Sequence, residues 1–184
     1  MAKVYAFLAN GLEEVECLAV ADVLRRSGVE VSLVSITGKK EVTGSHAIEL
    51  KADALFEEVN PDDADVLFLP GGMPGTTNLK AHGGLAASIV KANKQGRRLA
   101  AICAAPSILG SLELLKGRTA TCYPGFEDEL PGVSYTIQGV VTDGNITTAR
   151  GLGYALDMGL ELIRLLQGPQ QSKKIKASIQ YDRD

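Results

Sequence analysis

The chain has 184 residues and a mass of 19.4 kDa, with 45% hydrophobic and 22% charged residues and no tryptophan. That composition suits one domain, 1–184, because globular domains cluster near ~100–200 residues. Lys and Arg total 19 against 22 Asp and Glu, a formal net charge of −3, which argues against nucleic-acid binding through a basic face. No apolar stretch approaches the ~18 residues that span a bilayer, and the amino terminus opens into a strand pattern without a basic, hydrophobic leader. A cytoplasmic chain with no membrane contact is expected.

Three cysteines are too few for a disulfide framework and lack CxxC spacing, and only two histidines accompany them. With no GxGxxG loop either, neither a metal nor an organic cofactor is expected.

Lys3 to Leu8 is a β-rich run that ends at the turn residues Ala9-Asn10-Gly11. From Glu13 the period becomes helical, with Val15, Leu18, Ala19 and Val23 on one stripe, acidic residues in the first turn, and Arg25-Arg26-Ser27-Gly28 as the stop. A strand from Val31 to Ile36 completes a βαβ unit, which is normally right-handed and parallel. Val42 and Ala47–Leu50 read as a small hairpin. Val66–Leu69, bounded by Pro70-Gly71-Gly72, reads as a strand buried on both faces. Leu85–Lys94 is helical, Arg98–Ile102 is a second buried strand, and Pro106–Leu115 reads as a helix weakened at Gly110. Thr119–Thr121, Val133–Ile137, Val140–Thr142 and Ile146–Thr148 are short β-type pieces, with a hairpin turn at Asp143-Gly144-Asn145. Leu156, Leu160, Ile163 and Leu166 mark a final amphipathic helix ending near Gly168-Pro169. Alternating strands and helices predict an open, mainly parallel sheet with helices on both faces.

Ligands of such sheets bind at the carboxyl ends of the strands. Cys103 follows the buried strand Arg98–Ile102, and small neighbours Ala101, Ala104 and Ala105 allow a tight strand-to-helix turn. Amide groups and the positive end of the following helix would lower the thiol pKa. Gly71 and Gly72, after another buried strand, let backbone N–H groups approach a ligand and donate to a developing oxyanion. Glu13, Glu14 and Glu16 open one helix and point in different directions. A carboxyl beside a thiolate would hold its proton to higher pH, and spacing does not choose among the three. Cys17 and Cys122 read as packing residues.

Taken together and in order, Ala9-Asn10-Gly11-Leu12-Glu13-Glu14-Val15-Glu16, Leu69-Pro70-Gly71-Gly72, Ala100-Ala101-Ile102-Cys103-Ala104-Ala105-Pro106 and Thr148-Ala149-Arg150-Gly151 resemble the ThiJ/PfpI superfamily, most closely its parkinsonism-associated deglycase branch with bacterial relatives. The resemblance implies a flavodoxin-like three-layer sandwich, usually a homodimer, with no cofactor. It implies Cys103 as nucleophile, Glu16 as the carboxyl bonded to its sulfur, and the Gly72 and Ala104 amides as the oxyanion hole. It further implies activity on aldehydes or dicarbonyls such as methylglyoxal, or on glycated proteins, as a glutathione-independent glyoxalase or deglycase. The alternative it carries is an oxidative-stress sensor or redox-regulated chaperone.

Two departures shape the expectation. The protease branch has a histidine immediately after the cysteine where this chain has Ala104, which removes the general base of a peptidase or amidotransferase. Some deglycase relatives place a histidine where this chain has Tyr123. Proton transfer then falls to Glu16. Gly71, Tyr123 and His46, the last in the hairpin region where relatives often carry an arginine near the dimer contact, are candidate pocket residues.

Overall fold

Alternation along the first strand sets the two faces of the molecule. A computed structural model describes residues 1–182, and residues 183 and 184 of the expected span lie outside the described residues. In β1 (Lys3–Leu8), Val4, Ala6 and Leu8 join one core cluster while Tyr5 and Phe7 join another, as a period of two requires. The first core packs against α1 (Glu14–Arg26), α5 (Ala155–Gln167) and α6 (Pro169–Ser178). The second packs against α2 (Gly75–Ala81), α3 (Gly83–Lys94) and α4 (Pro106–Ser111). Three layers result.

Between them lies one seven-stranded sheet. It is built from β1, β2 (Glu30–Ser35), β5 (Ala54–Leu55), β6 (Val66–Leu69), β7 (Arg98–Ile102), β10 (Val140–Asp143) and β11 (Ile146–Ala149), in the order β10-β11-β7-β6-β1-β2-β5. Every neighbouring pair is parallel except the β10–β11 hairpin. This is the flavodoxin-like arrangement. All four residues of β6 are buried, in keeping with a strand covered by helices on both sides. Two small ribbons flank the sheet: β3 (Glu41–Thr43) with β4 (Glu49–Lys51), and β8 (Thr119–Ala120) with β9 (Ser134–Tyr135). Among the described residues no helix is long and apolar enough to cross a membrane.

The order reverses at β1, whose neighbours β2 and β6 carry the chain in opposite directions across the sheet. Such a reversal opens a crevice beyond the carboxyl ends of the strands. The loop after β1 and the loop after β6 meet there, joined by Glu13 N–H to the Gly71 carbonyl at 2.9 Å and Gly75 N–H to the Gly11 carbonyl at 3.0 Å.

The edge strand β5 has no counterpart in the sequence reading, the β-piece expected over Val133–Ile137 shrinks to Ser134–Tyr135, and three helical elements also depart from it. The helix expected over Pro106–Leu115 ends at Ser111, because Gly110 sits hard against the Glu129 carbonyl and Glu113 turns left-handed at φ 59°. The helix after Gly151 is not the last: Pro169 starts α6 at its first position, where a missing N–H costs nothing, and Ile175 anchors it. The short α2, rich in Thr and Asn with Leu79 as its core contact, had no periodic signal long enough to register.

Candidate active site

Three strand ends converge on Cys103. The residue leaves β7 at φ 64°, a left-handed conformation that costs a non-glycine residue roughly 1–2 kcal/mol. Two backbone bonds hold it there: its N–H donates to the Ala149 carbonyl of β11 at 2.9 Å, and its carbonyl accepts the Tyr123 N–H at 2.8 Å. The turn aims the side chain into the crevice, where the N–H groups of Ala104 and Gly72 face the sulfur. Gly72 reaches that position at φ 87°, with no room for a side chain against Glu13 and Leu12.

The first turn of α1 supplies the carboxyl. Glu13 is the N-cap and its Oε2 accepts the Glu16 N–H at 2.6 Å, a standard way to satisfy an orphan helix donor. Glu14 points away, to His46. Glu16 turns inward, 1% exposed, and its Oε2 accepts the Gly71 N–H at 3.0 Å. Its carboxyl also hydrogen-bonds the Cys103 sulfur, and the Leu152 N–H faces it from the loop after β11. The three directions that spacing left open are thus resolved one by one.

Gly71 makes this proximity possible. A Cβ there would stand 2.6 Å from the Cys103 Cβ and 2.7 Å from the Glu16 Oε2, inside contact distance of both.

Burial dominates the electrostatics. It pushes the Glu16 carboxyl up to about 7; the hydrogen bond from Cys103 and the Gly71 and Leu152 amides pull down, while the Glu13 charge adds to the rise. Burial likewise pushes the Cys103 thiol up to about 12, reinforced by the charge and hydrogen bond of Glu16. The Ala104 and Gly72 amides lower it, as the strand-to-helix turn led one to expect, but they are outweighed. Helix α4 is only six residues long and begins three residues beyond the thiol, which limits any dipole contribution. Once Glu16 carries the proton its charge no longer opposes the thiolate.

The remaining candidates sit at or beyond the margin of the crevice. Tyr123 is half exposed and, with Pro124, Arg150, Gly151, Leu152 and Tyr154, lines a shallow depression of about 310 Å³ bordering the crevice. The ring of His46 lies against Glu14, Glu13 and Ser45, not against Cys103, because the β3–β4 turn is held on the β1–α1 loop, with the Gly11 N–H on the Thr43 carbonyl and the Ser45 N–H on the Leu12 carbonyl. His82 caps α3, accepting the Leu85 N–H at 3.0 Å, and stacks edge-on with Phe56. Cys17 and Cys122 are fully buried, with burial raising their thiols to about 12 and about 11. The Leu152 amide was missed, since a backbone donor leaves only the flanking Gly151 and Gly153 as a signal.

A flavodoxin-like α/β protein with a strained thiol at the turn after a buried strand, bonded to a buried carboxyl and faced by two amides, is the class this geometry defines. Comparison narrows it: the family model for the DJ-1/PfpI family matches residues 2–165, and the chain belongs to that family. It is 34% identical over 179 residues to Protein DJ-1 homolog B of Arabidopsis thaliana, covering 96% of this chain but 41% of that longer protein. It is 37% identical over 169 residues to Deglycase PfpI of Pyrococcus furiosus, covering 90% of this chain and 99% of the relative. The solved structure of oxidized Toxoplasma gondii DJ-1 superposes with a TM-score of 0.95 at 34% identity, covering 100% of both chains.

Two consequences can be measured. Because Cys103 is left-handed, Cys103→Gly should be more stable than Cys103→Ala by about 1 kcal/mol in urea unfolding, the reverse of the usual order; equal or inverted stabilities would show the turn is not strained. Because the folded-state pKa of Glu16 lies above its unfolded value, stability present below about pH 4.5 should be lost as pH rises through about 7. Glu16→Gln should therefore gain on the wild type by up to about 3 kcal/mol between pH 4 and pH 8, and parallel stability profiles would contradict the assignment.

Proposed function

We propose that the chain is a thiol-dependent enzyme acting on reactive dicarbonyls, of the glutathione-independent glyoxalase or deglycase type, with methylglyoxal or its protein adducts as substrate. The observation that carries this reading is the Glu16 carboxyl, near neutral in pKa, bonded to the Cys103 sulfur beneath the Gly72 and Ala104 amides. The deglycase name of the Pyrococcus relative supports it.

Above about pH 7 the Cys103–Glu16 pair holds one proton, which rests on sulfur and passes to Glu16 as the substrate is attacked. The thiolate, with that proton on Glu16, adds to the aldehyde carbon: a C–S bond forms and the carbonyl π pair moves to oxygen. The Gly72 and Ala104 amides stabilise the oxyanion, and Glu16 protonates it to a hemithioacetal. As a carboxylate, Glu16 then takes the proton from that carbon and returns it to the adjacent one through an enediol, while the hydroxyl proton passes from the first oxygen to the second. The product is a Cys103 thioester of lactate. Water cleaves the C–S bond, releasing lactate and restoring the thiol–carboxyl pair. Methylglyoxal plus water gives lactic acid, with no external oxidant or reductant. The depression at Tyr123 and Leu152 is where the remainder of an adduct would lie. The reading includes the cytoplasmic homodimer that the resemblance implies.

Purified wild type should release lactate from methylglyoxal without glutathione, and Cys103→Ser and Glu16→Gln should each reduce turnover by at least about 10²–10⁴-fold. Retained turnover in either variant would overturn the mechanism.

A second reading has its own support in the partly exposed Cys103 thiol and in the oxidized form of the Toxoplasma relative. Here Cys103 is an oxidative sensor, or the switch of a redox-regulated chaperone, taken by peroxide to a sulfinate held by Glu16 and the two amides. Mild peroxide should then add two oxygens to Cys103 alone, read by mass spectrometry, in a protein that turns over no dicarbonyl. Oxidation spread over all three cysteines would dismiss this reading.

A further inference from the structure

One charged side chain beside the crevice takes no part in the chemistry proposed above. Arg150, from the Thr148–Gly151 motif, leaves β11 directly after Ala149, whose carbonyl holds the Cys103 N–H. Its own N–H donates to the Gly139 carbonyl at 2.9 Å. The backbone of Arg150 is thereby fixed beside the turn that carries the thiol.

Its guanidinium is left without a partner. The Nε is buried and makes no hydrogen bond, and a buried donor left unpaired is costly. Among the described residues Arg150 forms no ion pair within 4.0 Å. Glu127, whose charge it feels through space, is already bonded to the Gly125 N–H at 2.7 Å and to the Tyr135 hydroxyl.

The space beside it suits a molecule with an apolar middle and a charged end. Arg150 shares the depression of about 310 Å³ with Tyr123, Pro124, Leu152 and Tyr154. Two glycines let the aromatic walls close in: the Tyr123 ring lies 3.3 Å from where a Gly151 Cβ would stand, and the Tyr154 ring occupies the place of a Cβ on Gly139. Apolar walls exclude water and strengthen an ion pair formed against them. Methylglyoxal ends in a bare methyl group and leaves both the space and the cation unused.

We propose that Arg150 determines specificity at the Cys103 site by binding a carboxylate at the far end of the substrate, so that 2-oxoaldehydes bearing a carboxylate are preferred to methylglyoxal, a preference that rests on the dicarbonyl chemistry proposed above. A planar guanidinium suits a carboxylate through two parallel N–H···O bonds. 4,5-Dioxopentanoate has the required form, with two methylenes between its ketone and its carboxylate. The thiolate adds to its aldehyde carbon, the proton moves from that carbon to the adjacent one, and water cleaves the C–S bond. 4,5-Dioxopentanoate plus water gives 2-hydroxypentanedioate, with no oxidant or reductant.

Two measurements test this. In steady-state kinetics the wild type should favour 4,5-dioxopentanoate over methylglyoxal by at least about tenfold in kcat/KM, through a lower KM. Arg150→Met, which keeps an apolar stem and removes the unpaired donor, should lower that ratio at least about tenfold. Arg150→Gln carries the same comparison should the Met variant fail to fold. The second measurement needs no turnover: 4-oxopentanoate, which lacks the aldehyde, should slow alkylation of Cys103 by iodoacetamide, neutral 2-pentanone should not, and Arg150→Met should lose the protection. Turnover of methylglyoxal with no preference for the carboxylated substrate, or a ratio unchanged in Arg150→Met, would overturn the role of Arg150 and leave the dicarbonyl reading standing. Protection that depends on Arg150 without turnover of either substrate would overturn the dicarbonyl reading and support the carboxylate site. Neither protection nor turnover would overturn both.

Discussion

Everything at the candidate active site depends on one close approach, that of the backbone at Gly71 to the Glu16 carboxyl and the Cys103 side chain. The Gly71 N–H reaches Glu16 Oε2 at 3.0 Å, and the volume a side chain would need there is the volume the carboxyl and thiol occupy. The three residues belong to segments after β6, β1 and β7, which are adjacent strands of one parallel sheet. Parallel pairing brings their carboxyl ends to the same edge, and the reversal of strand order at β1 leaves that edge uncovered. Sheet topology thus brings the groups within reach, and the missing side chain at Gly71 brings them into contact.

The electrostatics stem from that contact. A thiol and a carboxyl sharing a buried hydrogen bond cannot both be charged cheaply, so the pair keeps at least one proton, giving up the first near pH 7 and holding the second well above it. Two amides facing the sulfur favour placing the remaining negative charge there, and the Gly71 and Leu152 amides favour placing it on Glu16. The balance between these two sets of donors decides which atom is the nucleophile or acid at a given moment. Helix dipole, the feature a strand-to-helix turn suggests first, contributes little where the helix is a turn and a half long.

How much of this was legible depended on whether the signal lived in side chains or in backbone. The sheet strands from Lys3, Val66 and Arg98 were readable because continuous apolar or alternating runs have few alternatives. Cys103, Gly71, Gly72 and Glu16 were reachable because they sit at strand ends whose position those runs define, together with a family resemblance. Among Glu13, Glu14 and Glu16 spacing could not choose, since which carboxyl turns inward depends on how α1 docks against the sheet. Helix α6 was hidden because Pro169 reads equally as a stop for α5 and as the first residue of a new helix. The Leu152 amide and the Glu14–His46 contact arise from loops folding across the sheet edge, a tertiary fact with no local periodicity.

One turn of α1 therefore carries three separate duties by virtue of helical geometry alone. Consecutive positions are rotated by about 100°, so Glu13 closes the helix, Glu14 faces the β3–β4 turn, and Glu16, two positions further, faces the thiol. The Glu13 carboxylate is common ground: one oxygen fixes the Glu16 backbone, and its charge helps raise the Glu16 pKa. A change in the charge of Glu13 therefore acts on the acidity of Glu16, through a single shared hydrogen bond and a through-space charge.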